Sequence, residues 1–209
     1  MLSRNSRRSV VIGIILAGGE SRRMGRDKVF LDAAGVPLFE RVHGVLRQIF
    51  RDIIVVSNNP RWFHAYGVRV IPDLIPGQGA LGGLYTGLKH ASNDRAFCFA
   101  ADMPFLNPRL IRYMMERGYE GDVIIPKTSD GLQPLHAIYS QACLKPIEDL
   151  ISRGNLKIVD FFRYVTVVYI SESEILTHDP KMISFLNINT KEDLRQVEHL
   201  LTQSLGVDS

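Results

Sequence analysis

The seven residues from Val10 to Leu16 are apolar or glycine. The chain then turns at once into Ala17-Gly18-Gly19-Glu20-Ser21-Arg22-Arg23-Met24-Gly25-Arg26-Asp27-Lys28. An apolar run that does not alternate with polar residues reads as a strand buried on both faces, and such a strand needs helices above and below its sheet. Shorter, mostly apolar runs recur at Ile53–Ser57, Val68–Ile71 and Ala96–Ala101. Between these runs lie helical periodicities. Residues 37–49 begin at Pro37 and set Leu38, Val42, Val45, Leu46 and Ile49 on one face, and further helices are predicted near 60–65 and over 82–91 and 108–117.

Strands alternating with helices predict a mainly parallel sheet covered on both faces, a Rossmann-like three-layer α/β/α arrangement. The second half is less regular. Asp122–Pro126, Leu135–Tyr139, Val165–Ile170 and Phe185–Ile188 read as strands, and 142–152 and 155–163 as helices. A last helix runs to about Leu201, capped by Thr190 with Asp193 at its third position. With 209 residues, 45% hydrophobic and 22% charged, the chain suits one domain over 9–209 behind a flexible tail of residues 1–8.

The formal net charge of +3 has no dense basic block, which argues against nucleic acid as a partner. No segment reaches the roughly 18 apolar residues that span a bilayer. The basic start followed by Val10–Ala17 superficially resembles a signal peptide, but cleavage there would destroy the glycine loop, so a cytoplasmic protein is expected. Cys98 and Cys143 fit neither a disulfide scaffold nor a zinc pattern.

The loop after the first strand carries chemistry. Gly18, Gly19 and Gly25 let backbone N–H groups approach an anion, and Arg22, Arg23, Arg26 and Lys28 bring cations to the same place. Together these suit a nucleoside triphosphate. The loop is not a Walker A motif, because Gly19 and Gly25 are wrongly spaced and Val29 follows Lys28. It is not the dinucleotide fingerprint either, since Gly18 and Gly19 are adjacent and no third glycine follows in register. For Arg23 and Arg26, a solvent-facing role remains open.

The run L-A-G-G-x-S-x-R-M-G-x-D-K resembles the signature loop of the sugar-nucleotide-like nucleotidyltransferases, and within them the molybdenum cofactor guanylyltransferases. Further stations follow in order. They are Val70-Ile71-Pro72-Asp73, Gly79-Ala80-Leu81-Gly82-Gly83-Leu84, Ala101-Asp102-Met103-Pro104, Pro134-Leu135-His136-Ala137 and Asn187-Ile188-Asn189-Thr190. The resemblance implies GMP transfer from GTP to molybdopterin with release of pyrophosphate. Cofactor-synthesis proteins and target oxidoreductases would be further partners, with neither nucleic acid nor membrane involved. It makes Arg22, Lys28 and Asp102 catalytic and Asp102 the Mg²⁺ ligand. GTP would meet Leu16, Ala17, Gly18, Gly19, Arg22, Lys28, Asn58, Asp73, Gly79, Leu81, Gly82 and Asp102. The pterin would meet His136, Asn187 and Asn189.

The residues support part of this independently. Ligands in open α/β sheets sit beyond the carboxyl ends of the strands, and there the loop 16–28, Asn58, Asp73 and Asp102 would converge. A carboxylate such as Asp102 suits Mg²⁺ shared with phosphates. Bland readings stay open: a turn for Asp102, a loop cap for Asp73, a core histidine for His136, and helix capping for Asn187 and Asn189. Trp62 and Phe63 are expected to pack a short helix. Leu-Ala-Gly-Gly and the 79–83 loop resemble GTP users more than CTP users, although Ala80 replaces a usual proline and would loosen that loop. A CTP-dependent transferase and a non-catalytic cofactor carrier are the rival readings.

Overall fold

The computed structural model describes residues 11–18 and 30–205. Residues 1–8 of the expected tail, and Gly19, Arg22, Arg23, Gly25, Arg26 and Lys28 of the expected phosphate loop, lie outside them.

One mixed sheet organises the chain. Its strands are β1 (Ile12–Leu16), β4 (Ile53–Val56), β5 (Arg69–Ile71), β6 (Arg95–Ala100), β7 (Val123–Thr128), β9 (His136–Ser140) and β10 (Val167–Ile170). They lie in the order β10-β7-β9-β6-β1-β4-β5, with the short β8 (Gly131–Leu132) folded against β7. β1 pairs in parallel with β4 and β6, β4 with β5, and β7 with β10. Along this order only β9 is reversed, running antiparallel to both β6 and β7. The sheet is therefore mainly parallel, and the carboxyl ends of β5, β4, β1 and β6 open on one edge beside the start of β9.

Alternate residues of the central strands feed opposite layers, as the period of two requires. Ile15, Phe97 and Phe99 pack with Phe39, Val42 and Leu46 of α1 (Leu38–Leu46) and with Leu110, Ile111 and Met114 of α3 (Pro108–Glu116). On the other side Ile12, Ile14, Leu16 and Cys98 pack with Leu81, Leu84 and Leu88 of α2 (Gly79–His90) and Ile147 and Leu150 of α4 (Leu144–Ser152). Each such side chain stabilises by about 1.5–3 kcal/mol on burial. Glycine lets α2 lie close on β1: a Cβ at Gly87 would sit 2.7 Å from Ile14, and one at Gly83 would sit 3.3 Å from Leu16.

Several elements differ from the sequence reading. α2 starts at Gly79, so the expected 79–83 loop is the helix's first turn. Ala80 therefore loosens no loop, since proline and alanine both suit a first helical turn. Residues 60–66 and 158–164 form 3₁₀ turns. Phe185–Ile188 is not a strand: Ile183–Phe185 closes a 3₁₀ turn, and Ile188 N donates to the Asp102 carbonyl at 3.2 Å. A hairpin of β2 (Asp32–Ala33) and β3 (Val36–Pro37) precedes α1, turning through Ala34 (φ 53°) and Gly35 (φ 80°). α5 (Glu172–His178) was unexpected and starts with a complete capping box between Ser171 and Glu174. The last helix, α6 (Lys191–Leu205), is capped as expected, with Asp193 N donating to Thr190 Oγ1 at 3.1 Å and Thr190 N to Asp193 Oδ2 at 2.8 Å. Among the described residues no helix is long and apolar enough to cross a membrane.

Candidate active site

A crevice of about 830 Å³ lies along the carboxyl edge of the sheet. Its floor is fixed by backbone bonds that tie the ends of three strands together. Ala17 N donates to Val56 O at 3.0 Å, and Ala101 N donates to Leu16 O at 3.1 Å. Leu16, Ala17 and Gly18 line the middle, Asn58 and Asp73 one end, and Asp102, Asn187 and Asn189 the other side. Gly79, also expected at the nucleotide, lines the wall that α2 presents.

Asp73 is held firmly. Its amide donates to Asn58 Oδ1 at 2.9 Å, and its Oδ1 accepts from Ile75 N at 3.1 Å and from Thr86 Oγ1 at 2.8 Å. Thr86 is fully buried on α2, and its hydroxyl also accepts from Leu74 N at 3.0 Å. Asp73 thus caps its own loop and lines the crevice at once. Nothing in the spacing of the sequence pointed to Thr86; only a hydroxyl inside an otherwise apolar helical stretch marked it.

Asp102 follows the buried Ala100 and Ala101 at the end of β6. The bond from Ile188 N to its carbonyl draws residues 187–189 to the same place. Ile188 is buried, so Asn187 and Asn189 on either side of it both reach the crevice. The period-two reading of this pair therefore holds geometrically although the segment is no strand. Among the described residues no three His, Cys, Asp or Glu side chains cluster to hold a metal by themselves. A single carboxylate on an open crevice fits Mg²⁺, which keeps several waters and takes its remaining ligands from phosphates.

Three expected contacts are not brought to the crevice. Leu81 is fully buried in the α2 layer of the core. Gly82 packs beneath the 73–78 loop, where a Cβ would sit 2.8 Å from Gln78 Cβ and 3.1 Å from Ile75 O. Its glycine serves that close approach. His136, expected at the pterin, is fully buried opposite Phe99 across the β6–β9 pair. Phe97, Phe99 and Phe185 stand perpendicular to its ring, with centroids 5.2–5.3 Å away. Neither ring nitrogen has a partner, and burial pushes its pKa down to about 3, so it is neutral at ordinary pH. It is a core side chain because β9 turns it toward the α1/α3 layer while its neighbour Leu135 lines the crevice.

Trp62 and Phe63, expected to pack alike, divide. Phe63 is fully buried against Phe39, with ring centroids 4.7 Å apart, whereas Trp62 lines the crevice wall beside Asn58 and remains 36% exposed. Beyond Leu135 and Leu156 the crevice adjoins an apolar hollow of about 480 Å³, lined by Leu132, Pro134, Ile158 and Val159 with Lys157 among them.

The arrangement thus joins a glycine-edged strand end, two carboxylates and several side-chain amides in one groove. The sequence profile of the MobA-like NTP transferase domain matches residues 13–167. A protein of Pelotomaculum thermopropionicum named probable molybdenum cofactor guanylyltransferase is 40% identical over 182 residues, covering 87% of this chain and 89% of its own. The molybdenum cofactor guanylyltransferase of Desulfosudis oleivorans is 38% identical over 191 residues, covering 90% and 94%. The crystal structure of molybdopterin-guanine dinucleotide biosynthesis protein A from Archaeoglobus fulgidus superposes with a TM-score of 0.81 at 27% identity, over 92% of this chain and 100% of that one. The chain belongs to the MobA-like NTP transferase family and is a nucleotidyltransferase.

Proposed function

We propose that the crevice transfers GMP from GTP to molybdopterin or its molybdenum-loaded form, yielding the guanine dinucleotide and pyrophosphate. The observation that carries this reading is the convergence of Gly18, Asn58, Asp73 and Asp102 with Asn187 and Asn189 in one groove. The names borne by relatives covering nearly the whole chain agree with it. On this reading the N-terminal half binds GTP and the residues after about 105 bind the acceptor, behind a tail at 1–8.

In the proposed reaction Leu16–Gly18 present backbone groups to the nucleotide, and Asn58, Asp73 and Gly79 bound the space for its base. Arg22 and Lys28, with Gly19, would neutralise the triphosphate and the departing pyrophosphate. Mg²⁺ held by Asp102 would supply charge neutralisation at the phosphates. The terminal phosphate of the acceptor is already ionised at neutral pH, so no side-chain base is needed, and positioning with electrostatics suffices. Asn187 and Asn189 would orient the acceptor. The apolar hollow at Leu132, Pro134 and Ile158 would take its flat ring system in place of His136. The protein would act in the cytoplasm and pass its product to target oxidoreductases.

The test is pyrophosphate release with GTP and with CTP in the presence of molybdopterin, with the product identified by mass. GTP is expected to be the better substrate, and preferential use of CTP would overturn the base assignment. Nucleotide binding without any release would instead support a carrier.

A further inference from the structure

The strand order gives the crevice a direction. Passing from β9 to β5, its floor presents Leu135, Asp102, Gly18, Asn58 and Asp73 in turn. Five neighbouring strands at roughly 4.8 Å spacing span about 19 Å, enough for an extended dinucleotide lying across them. With the phosphates near Asp102 and Gly18 and the acceptor near Leu135 and Asn187, the base falls at the β4/β5 end. There the wall is Trp62. The 3₁₀ turn that carries it starts at Pro60, Trp62 N donates to Asn59 O at 3.2 Å, and Phe63 anchors the turn in the core. Phe30 stands perpendicular to the indole at 5.9 Å. Thus a large aromatic ring is held in place from two sides at the rim, yet it stays more than a third exposed on the face of a polar groove.

We propose that Trp62 is the wall on which the purine of the nucleotide stacks, and that this contact favours a purine over a pyrimidine triphosphate. The inference rests on the crevice being the nucleotidyl-transfer site. Stacking scales with the overlapped ring face, which is larger in guanine than in cytosine.

Trp62 is the only tryptophan in the chain, so its fluorescence reports this wall alone. Titration with GTP should quench it saturably, CTP should quench it less, and inorganic tripolyphosphate should leave it unchanged. Trp62→Ala should raise the KM for GTP about ten-fold with kcat within about two-fold, and Trp62→Phe should recover most of the loss. Circular dichroism of both variants separates this effect from misfolding. Equal quenching by tripolyphosphate, or an unchanged KM in folded Trp62→Ala, would overturn the proposal. Absence of any dinucleotide product from wild-type protein would instead remove the guanylyl-transfer reading, while quenching by GTP over CTP would still stand for the stack.

Discussion

At the β4/β5 end of the crevice Asp73 shares one carboxylate oxygen between the Ile75 amide and the buried Thr86 hydroxyl. At the β9 end Leu135 and Leu156 present apolar surface, and two exposed asparagines flank Ile188. The first end is a polar network braced by a helix. The second is a hydrophobic hollow whose polar groups come from a segment outside the sheet. The difference teaches that a site can be rigid where it must read hydrogen-bonding groups and open where it must receive a bulkier partner. It also separates substitutions that act on both substrates from those that act on one.

Removing what lies between the two ends should have the largest effect. Asp102→Ala is expected to lower kcat about a thousand-fold in the pyrophosphate assay while nucleotide still binds in a fluorescence titration. Lys28→Ala should behave in the same way. Equal loss of binding and turnover in both would show that the centre serves only to hold ligand.

The next effect belongs to the β9 end, beneath which His136 is caged by Phe97, Phe99 and Phe185. Its pKa falls from 6.5 to about 3 on folding, so between those values the unfolded chain binds the extra proton. Its neutral form therefore gives full stability above about pH 6.5. That stability is lost as pH falls toward 3, by up to about 1.4 kcal/mol per pH unit. Urea midpoints measured across this range should show the slope, and His136→Leu should flatten it without loss of stability at pH 7.

Smaller effects should divide by end. Thr86→Val keeps the shape of the side chain but leaves Leu74 N and Asp73 Oδ1 without their partner, so the KM for GTP should rise about ten-fold while that for the acceptor stays unchanged. Thr86→Ser should restore it. Asn187→Ala should raise the KM for the acceptor about three-fold and leave that for GTP alone. Crossed effects in steady-state kinetics would erase the distinction between the ends.

The parallel half was readable because β1, β4 and β6 are largely buried on both faces and the residues that line the crevice follow the strands closely. Asn58, Asp73 and Asp102 could be placed from the apolar runs that end before them. The other half was harder for identifiable reasons. Phe185–Ile188 is mostly apolar like the other strands, but Ile188 N meets the carbonyl of Asp102 and the segment joins no ladder. For His136 the sequence leaves both a pterin contact and a core position open, because the rings that surround it come from β6 and the 183–185 turn, remote in sequence. α5 could have been found from its Ser171-x-x-Glu174 capping box. Thr86 carries only the mark of a hydroxyl in an apolar stretch, since its partners lie on a loop more than ten residues earlier.

The reversed direction of β9 has a consequence for how such a protein can be altered. β1, β4, β5 and β6 deliver their loops into the groove on leaving the sheet, but β9 starts there, with Leu135 at the groove and Pro134 at the adjoining hollow. The connection between β7 and β9 is therefore a rim piece, held by the β8–β7 ladder and by the Tyr139 hydroxyl, which donates to Pro134 O, and it does not thread through β1, β4 and β5. Exchanging residues 129–134 for a longer or more polar turn should retune which acceptor is admitted while GTP affinity stays as it was.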